Sequence, residues 1–228
     1  MACADPPALH CLHADADLLV LAKPAGLLCV PGRGPDKQDC LSARAQALWP
    51  GALVVHRLDQ ATSGLVLMAR HPEAQRRLGD AFAQRRLHKR YQAVVRGRPA
   101  VDGAWRTIDL PIAADWPRRP LRVIDHASGK PSQTRWRSAG HDGARGVTLL
   151  DLEPLTGRTH QLRVHLAAIG HPILGDALYA DAATQALAPR LLLHACALAF
   201  EHPATGQPCR FALAPEFAAA FPSAPCPA

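Results

Sequence analysis

No two cysteines in this chain of 228 residues form a CxxC pair; the seven are scattered as Cys3, Cys11, Cys29, Cys40, Cys196, Cys209 and Cys226. An odd, widely spaced set excludes a zinc ribbon and argues against a secreted disulfide framework. Reduced thiols and a cytoplasmic setting are expected. No GxGxxG opens a helix and GRGPDK lacks the Walker spacing, so no nucleotide cradle is predicted. The twelve histidines include no HExxH: His160 and His165 are five apart and do not share a helical face, so no metal is predicted. No apolar run reaches membrane length, and MACADPPALHCLHADADLLVLAKP lacks the basic flank and unbroken apolar stretch of a leader. Aromatic residues are scarce, at 5%, with only two tyrosines.

Positive charge is what the chain has in excess. The net charge is +7, and between Arg57 and Arg163 stand 20 of the 26 Lys and Arg residues against 10 acidic ones. A basic middle between mildly acidic ends suits a polyanion such as nucleic acid, although a solvated arginine-rich surface would read the same way. At this length about 70% of the unfolded chain's surface can be buried, so the core needs neither disulfide nor metal.

The chain reads as many short strands with few helices. DLLVLAKPAGLLCVPG predicts two apolar strands around a turn at Pro24 to Gly26. Asp39 or Ser42 would cap a short helix ending near Pro50. ALVV and GLVLMA predict buried strands on either side of the polar turn HRLDQATSG. The spacing of Leu78, Ala81 and Phe82 predicts a helix within 71–86, and YQAVVRG alternates as a strand. DLPIAADWPRRP reads as a proline-broken connection, and SQTRWRS and GVTLLDLEPL as strands. TGRTHQLRVHLAAIG predicts a helix with Thr159 as N-cap and Leu162, Leu166 and Ile169 on one face. RLLLHACALAFEH and PCRFALA are late strands before a short terminal helix in PEFAAAF. Without βα alternation, the fold class is α+β with a mixed, largely antiparallel sheet.

Asp59 in HRLDQATSG is the carboxylate to weigh. By itself it reads first as a turn-capping or arginine-paired residue, because single carboxylates in turns are common. In order along the chain, however, HRLDQATSG, HKRYQAVVRG and TGRTHQLRVHLAAIGHPILGDALYA closely resemble the RluA-type family of RNA pseudouridine synthases. LAKPAGLLCVPGR, DLPIAADWPRRP, GKPSQT and APRLLLHA extend the resemblance from about Leu18 to Phe211. It implies a pseudouridine synthase catalytic domain over 18–220, an extension at 1–17, a tail at 221–228 and no separate RNA-binding domain in front. The middle segments resemble the members of dual specificity for 23S ribosomal RNA and tRNA. LRVIDHASGK departs from the expected pattern, and that departure bears on the RNA target more than on the reaction.

The resemblance implies Asp59 as the essential carboxylate, Tyr91 as the tyrosine stacking on the target base, and Arg163 as the arginine pairing with Asp59. Pseudouridine formation detaches uracil from ribose, turns it and rejoins it through carbon 5, so no redox cofactor is needed. Asp59 must be ionised, and a fixed guanidinium offsets its desolvation. A helical wheel turns Arg163 about a quarter of the circumference from Leu162 and Leu166, where an ordinary surface arginine would also stand. A packed core residue is the second reading of Tyr91, which follows the basic HKR and is one of only two tyrosines. A target uridine leaves its stack most readily in a loop, with His56 or Arg57 filling the space. Arg85, Arg86, His88, Lys89, Arg90, Arg158 and Gln161 are the expected RNA contacts, with a solvated charge run as the other reading. A monomer without a protein partner is expected, and a non-catalytic RNA-binding or RNA-folding protein of the same fold is the competing function.

Overall fold

The computed structural model describes residues 9–100 and 102–221. Cys3, Cys226 and all of the expected tail except Phe221 lie outside them. Twelve strands appear in chain order: β1 (His10–Ala14), β2 (Leu18–Lys23), β3 (Leu53–Val54), β4 (Ser63–Ala69), β5 (His88–Arg96), β6 (Arg106–Asp109), β7 (Ile112–Ala114), β8 (Arg122–Ile124), β9 (Gln133–Asp142), β10 (Val147–Pro154), β11 (Leu193–Glu201) and β12 (Pro208–Ala212). The helices are α1 (Leu41–Leu48), α2 (Pro72–Ala83), α3 (Gln161–Ala168) and α4 (Ala182–Gln185). The main sheet runs β1-β2-β4-β11-β5-β10-β9-β6, with β3 beside β4 and β12 beside β11. Among the strand pairings of the described residues only β4–β11 is parallel; β7 and β8 form a separate antiparallel hairpin. The α+β architecture is therefore as the absence of βα alternation implies.

β4 is buried at every position, which explains why GLVLMA is an unbroken apolar run and not an alternating one. Val66 and Met68 pack with Leu41 and Ala45 of α1, while Leu65 and Leu67 pack with Ala74 and Leu78 of α2. A third cluster joins Leu162 and Leu166 of α3 to Ala93, Leu150 and Leu193. Tyr91 packs against both the α1 and the α3 clusters, at their junction.

Gly64 makes the parallel pairing possible. Its φ is +117°, and a Cβ there would stand 2.3 Å from the carbonyl oxygen of Ala195, so only glycine lets β4 lie this close to β11 immediately after the Asp59 turn. Beside it, His194 accepts from the Ser63 hydroxyl at 2.9 Å and donates to the Leu213 carbonyl at 3.1 Å. Burial holds its pKa down to about 4. A histidine buried neutral must be protonated on acidification, and the unfolded chain takes that proton first, near 6.5. Stability should therefore be undiminished above pH 7 and fall as pH drops below 6.5, by about 2 kcal/mol at pH 5 from this residue. Urea titrations at pH 5 and 8 should show a smaller difference for His194→Gln than for wild type.

Several local expectations are corrected. Segment 10–14 of the expected extension is an edge strand of the main sheet. Neither Asp39 nor Ser42 caps α1; the Cys40 thiol accepts from Ala43 N–H. After Gly26 only an isolated bridge, Leu28 to Cys40, stands where a second strand is expected, because the chain turns at once to meet α1. DLPIAADWPRRP holds β7 and the turn of a hairpin. Thr159 is not the cap of α3; His160 is, in the left-handed region at φ 56° and without a capping side-chain bond. The last helix is a 3-10 turn, Glu216–Ala220. Among the described residues no helix is long and apolar enough to cross a membrane.

Candidate active site

Asp59 sits in a turn clamped on both sides. Leu58 is buried in the α1 cluster, and its N–H reaches the Cys29 thiol at 3.2 Å. Gln60 is held to Gly26 twice, its carbonyl accepting at 2.8 Å and its side-chain amide donating at 3.0 Å. Beneath the turn lies Lys23, 1% exposed, whose ammonium donates to the carbonyls of Pro24 (2.8 Å), Leu27 (2.8 Å) and Gln60 (3.0 Å). Burial lowers its pKa to about 8, against the opposing pull of Cys29 and Asp59, so the amine remains mostly charged at neutral pH. Between these anchors the Asp59 carboxylate has no hydrogen bond or ion pair among the described residues. It borders a cavity of ≈260 Å³ that also receives Tyr91, His160 and Arg163.

Removing the Lys23 ammonium strands the carbonyls of Pro24 and Leu27, while that of Gln60 keeps Gly26 N–H, and each buried acceptor left unsatisfied costs about 1–3 kcal/mol. Lys23→Met should lower the melting temperature by several degrees and reduce turnover as the turn loosens, while Lys37→Met, at an exposed lysine, should do neither. Calorimetry beside a turnover assay checks this.

Arg163 is 4% exposed and does not stand on the surface. Nor is Asp59 its partner: the guanidinium is gripped by Asp176, Nε to Oδ2 at 2.8 Å and Nη2 to Oδ1 at 2.6 Å. The helical wheel leaves room for a surface arginine, but 161–166 are buried throughout and the turn at 176–179 supplies the partner of Arg163. Burial disfavours the charge; the Asp176 bonds and the negative charges of Asp176 and Asp59 outweigh it and raise the pKa above its ordinary value. Asp59 is thus within electrostatic reach of Arg163 without contact.

Asp176 Oδ1 also accepts from Leu178 N–H and Tyr179 N–H. The Tyr179 ring lies 5.0 Å from the guanidinium carbon of Arg163, and its hydroxyl donates to His160 Nδ1 at 2.7 Å while accepting from Arg122 N–H. Burial, reinforced by Arg163 and Arg122, keeps His160 below its ordinary pKa despite the pull of Asp59 and Asp176. Burial and the neighbouring Asp59 charge raise the Tyr91 phenol well above its usual range, so it stays protonated.

The expected RNA contacts divide. Arg57 is exposed on the rim. His56 is a wall: its Nε2 accepts from Leu67 N–H at 3.0 Å, its ring lies 4.7 Å from that of Phe82, and burial with Lys89 lowers its pKa to about 3. It is too firmly held to swing into RNA. Gln161 is corrected also, because the protein takes both ends of its amide. The oxygen accepts from Thr156 and Arg158 N–H, and the nitrogen donates to Gln133 and Thr134. Arg85, His88, Lys89 and Arg158 border an adjoining hollow of ≈760 Å³. Arg86 is exposed and bonded to Gln84. Arg90 stands over Trp105 at 4.7 Å, the ring that Arg135 and Arg137 also approach, and it lines neither space.

Lys23, Cys29, His160, Asp176 and Tyr179 are the site residues that the sequence reading missed. A lysine ending an otherwise apolar strand was the legible sign for Lys23. Nothing local marks the others. Elsewhere, Asp15, Asp17 and His202 place three ligand-type atoms within 4.8 Å of one another. His202 Nδ1 accepts backbone N–H groups, however, so its Nε2 carries the proton and donates to Asp15, a hydrogen-bonded brace and not a ligand set.

A mixed sheet carrying a clamped aspartate opposite a buried arginine and a tyrosine, beside a basic hollow, is the arrangement of an RNA-modifying enzyme. Residues 17–168 match the family model described as RNA pseudouridylate synthase, and the chain belongs to that family. Among its relatives, the dual-specificity RNA pseudouridine synthase RluA of Yersinia pestis is 45% identical over 206 residues, covering 90% of this chain and 98% of that protein. RluA of Escherichia coli K12 is 44% identical over 211 residues, covering 92% and 95%. Of solved structures, human RNA pseudouridylate synthase domain containing 1 superposes with a TM-score of 0.77 at 29% identity, over 95% of this chain and 87% of that one. Human RNA pseudouridylate synthase domain containing 4, at 24% identity, shares the fold with a TM-score of 0.72.

Proposed function

We propose that the chain isomerises loop uridines of 23S ribosomal RNA and tRNA to pseudouridine, with Asp59 as the carboxylate that starts the reaction. The observation that carries this reading is the state of Asp59: Leu58 and Gln60 are pinned on either side while its own carboxylate has no hydrogen bond or ion pair among the described residues and borders a cavity. A structural aspartate in a turn would be spending its oxygens on backbone N–H groups, as Asp125 and Asp142 do elsewhere in this chain.

Arg163, its orientation set by Asp176, keeps positive charge in the cavity that Asp59 borders. Tyr91, held protonated, serves as a flat surface for the extruded base and as a hydrogen-bond donor; accepting the carbon 5 proton as phenolate does not suit a phenol whose pKa is raised. Arg57, exposed at the edge of the cavity, enters the gap that the uridine leaves. Arg85, His88, Lys89 and Arg158 face phosphates, so binding weakens steeply with salt. The chain works as a monomer in the cytoplasm, where both RNAs are found.

Tritium release from RNA labelled at carbon 5 of uridine tests the reading, with 23S ribosomal RNA and tRNA as separate substrates. Release from both supports dual specificity, and release from one narrows it. None from either, with RNA still bound, favours the non-catalytic alternative.

A further inference from the structure

We propose that the tip of the β7–β8 hairpin is a second base-binding station, where Trp116 stacks on an unpaired nucleobase of the same RNA whose uridine enters the Asp59 cavity. This rests on the synthase reading for the identity of the RNA, but not for the stacking itself. Trp116 is 67% exposed, and the other exposed large apolar residues among those described, Leu48 and Leu187, are aliphatic. The indole is already braced: the guanidinium carbon of Arg119 lies 3.7 Å from its ring centre. A planar cation beneath an otherwise open aromatic ring leaves a surface on which a base can complete a stack, and such stacking tolerates any base because each has a π-face.

The surroundings are suited to RNA. A hollow of ≈890 Å³ lies between the hairpin and the 157–159 turn, bordered by Trp116, Arg122, Lys130 and Arg158. Gly157 and Arg158 border the Asp59 cavity as well, so the two spaces meet across a single turn. The acidic residues nearby are already engaged: Asp115 pairs with Arg118 at 2.6 Å, and Asp125 accepts from Ala127 N–H and Ser128 N–H in its own turn. Arg119, Arg122, Lys130 and Arg158 form no ion pair among the described residues, and the buried Nε of Arg122 has no hydrogen-bond partner. That excess of positive charge complements a phosphate backbone and opposes a basic or neutral protein surface.

The station is also held at a defined distance from the chemistry. Arg122, paired with Ala114 at the end of the hairpin next to the loop that carries Trp116, donates its N–H to the Tyr179 hydroxyl at 2.9 Å, and that hydroxyl donates to His160 in the cavity wall. A base seated on Trp116 therefore lies at a fixed offset from the uridine at Asp59. Only an RNA whose loop presents two unpaired bases at that offset engages both, which makes Trp116 a determinant of which loop is chosen.

The test uses the full chain with unmodified tRNA and 23S ribosomal RNA transcripts, measuring Kd by filter binding, tryptophan emission on RNA addition, and tritium release. Trp116→Ala should raise Kd and KM about tenfold, within the range of one lost base stack, with kcat within about twofold and an unchanged melting temperature. Trp116→Phe should recover most of the affinity yet lose most of the RNA-induced quenching. Unchanged binding by Trp116→Ala, or a Phe variant as weak as Ala, would overturn the proposal. So would quenching that persists without Trp116, or a loss confined to self-association in sedimentation. Wild type that binds RNA with Trp116-dependent quenching but releases no tritium would sink the synthase reading and leave the stacking station standing.

Discussion

Asp59→Asn is expected to abolish tritium release, with a fall on the order of 10⁴-fold or more, as when a reacting side chain is removed from a group that acts as a unit. The substitution changes charge but scarcely changes shape. Leu58, Gln60, Lys23 and Cys29 hold the turn without using the Asp59 side chain, so the fold should not register the exchange. RNA affinity should remain within a few-fold of wild type, or improve as a negative charge leaves a basic cleft. The melting temperature, Kd and single-turnover rate on one preparation check all three statements. An Asn variant that still turns over freely removes Asp59 from the chemistry. One that loses binding and turnover equally makes Asp59 an RNA contact.

Arg163→Met is expected to damage both stability and turnover, for different reasons. Asp176 is buried, its side chain 1% exposed, and without Arg163 it becomes an uncompensated charge, which costs about 3–5 kcal/mol. Turnover should fall about 10²- to 10³-fold, the size of effect seen when one preorganised stabilising group is lost. The double variant Arg163→Met with Asp176→Asn separates the two effects. Asparagine at 176 keeps an oxygen for Leu178 N–H and Tyr179 N–H and removes the stranded charge, so urea denaturation should show most of the stability restored. Activity should not return, because the buried guanidinium that shares the cavity with Asp59 is then gone. Recovery of activity with stability would show that Arg163 acts only by holding the 176–179 turn.

The strands and helices of this protein were legible wherever a period or an unbroken apolar run was decisive. α2, β4, β5, β9, β10 and β11 stand close to their expected positions, since burial on one face or both leaves its imprint on the order of residues. The hairpin β7–β8 was not legible. Its prolines and charges read as a connection, and its strands of three residues are too short to display alternation. The cap of α1 was missed because a thiol is a weak acceptor that sequence preferences do not rank beside Asp or Ser. Of the site, Asp59 and Tyr91 could be singled out through their motifs. His56 and Gln161 carried the right chemistry for RNA contact, but the atoms concerned are taken up inside the protein.

The sequence by itself determined the family, the basic middle of the chain, the α+β class and the order HRLD, HKRY, HQLR along which the cavity is assembled. Those properties are carried by neighbouring residues and by periods of two and 3.6, so they survive in a one-dimensional string. Only the tertiary structure decided that Arg163 is held by Asp176 and not by Asp59, that Lys23 clamps the Asp59 turn from below, and that Tyr179 links the cavity wall to the hairpin bearing Trp116. Each of these depends on which distant segment closes over a buried polar group. That choice is made by desolvation: a charge taken out of water accepts whatever partner the packed backbone brings within 3 Å, and that distance is not written in the spacing between residues.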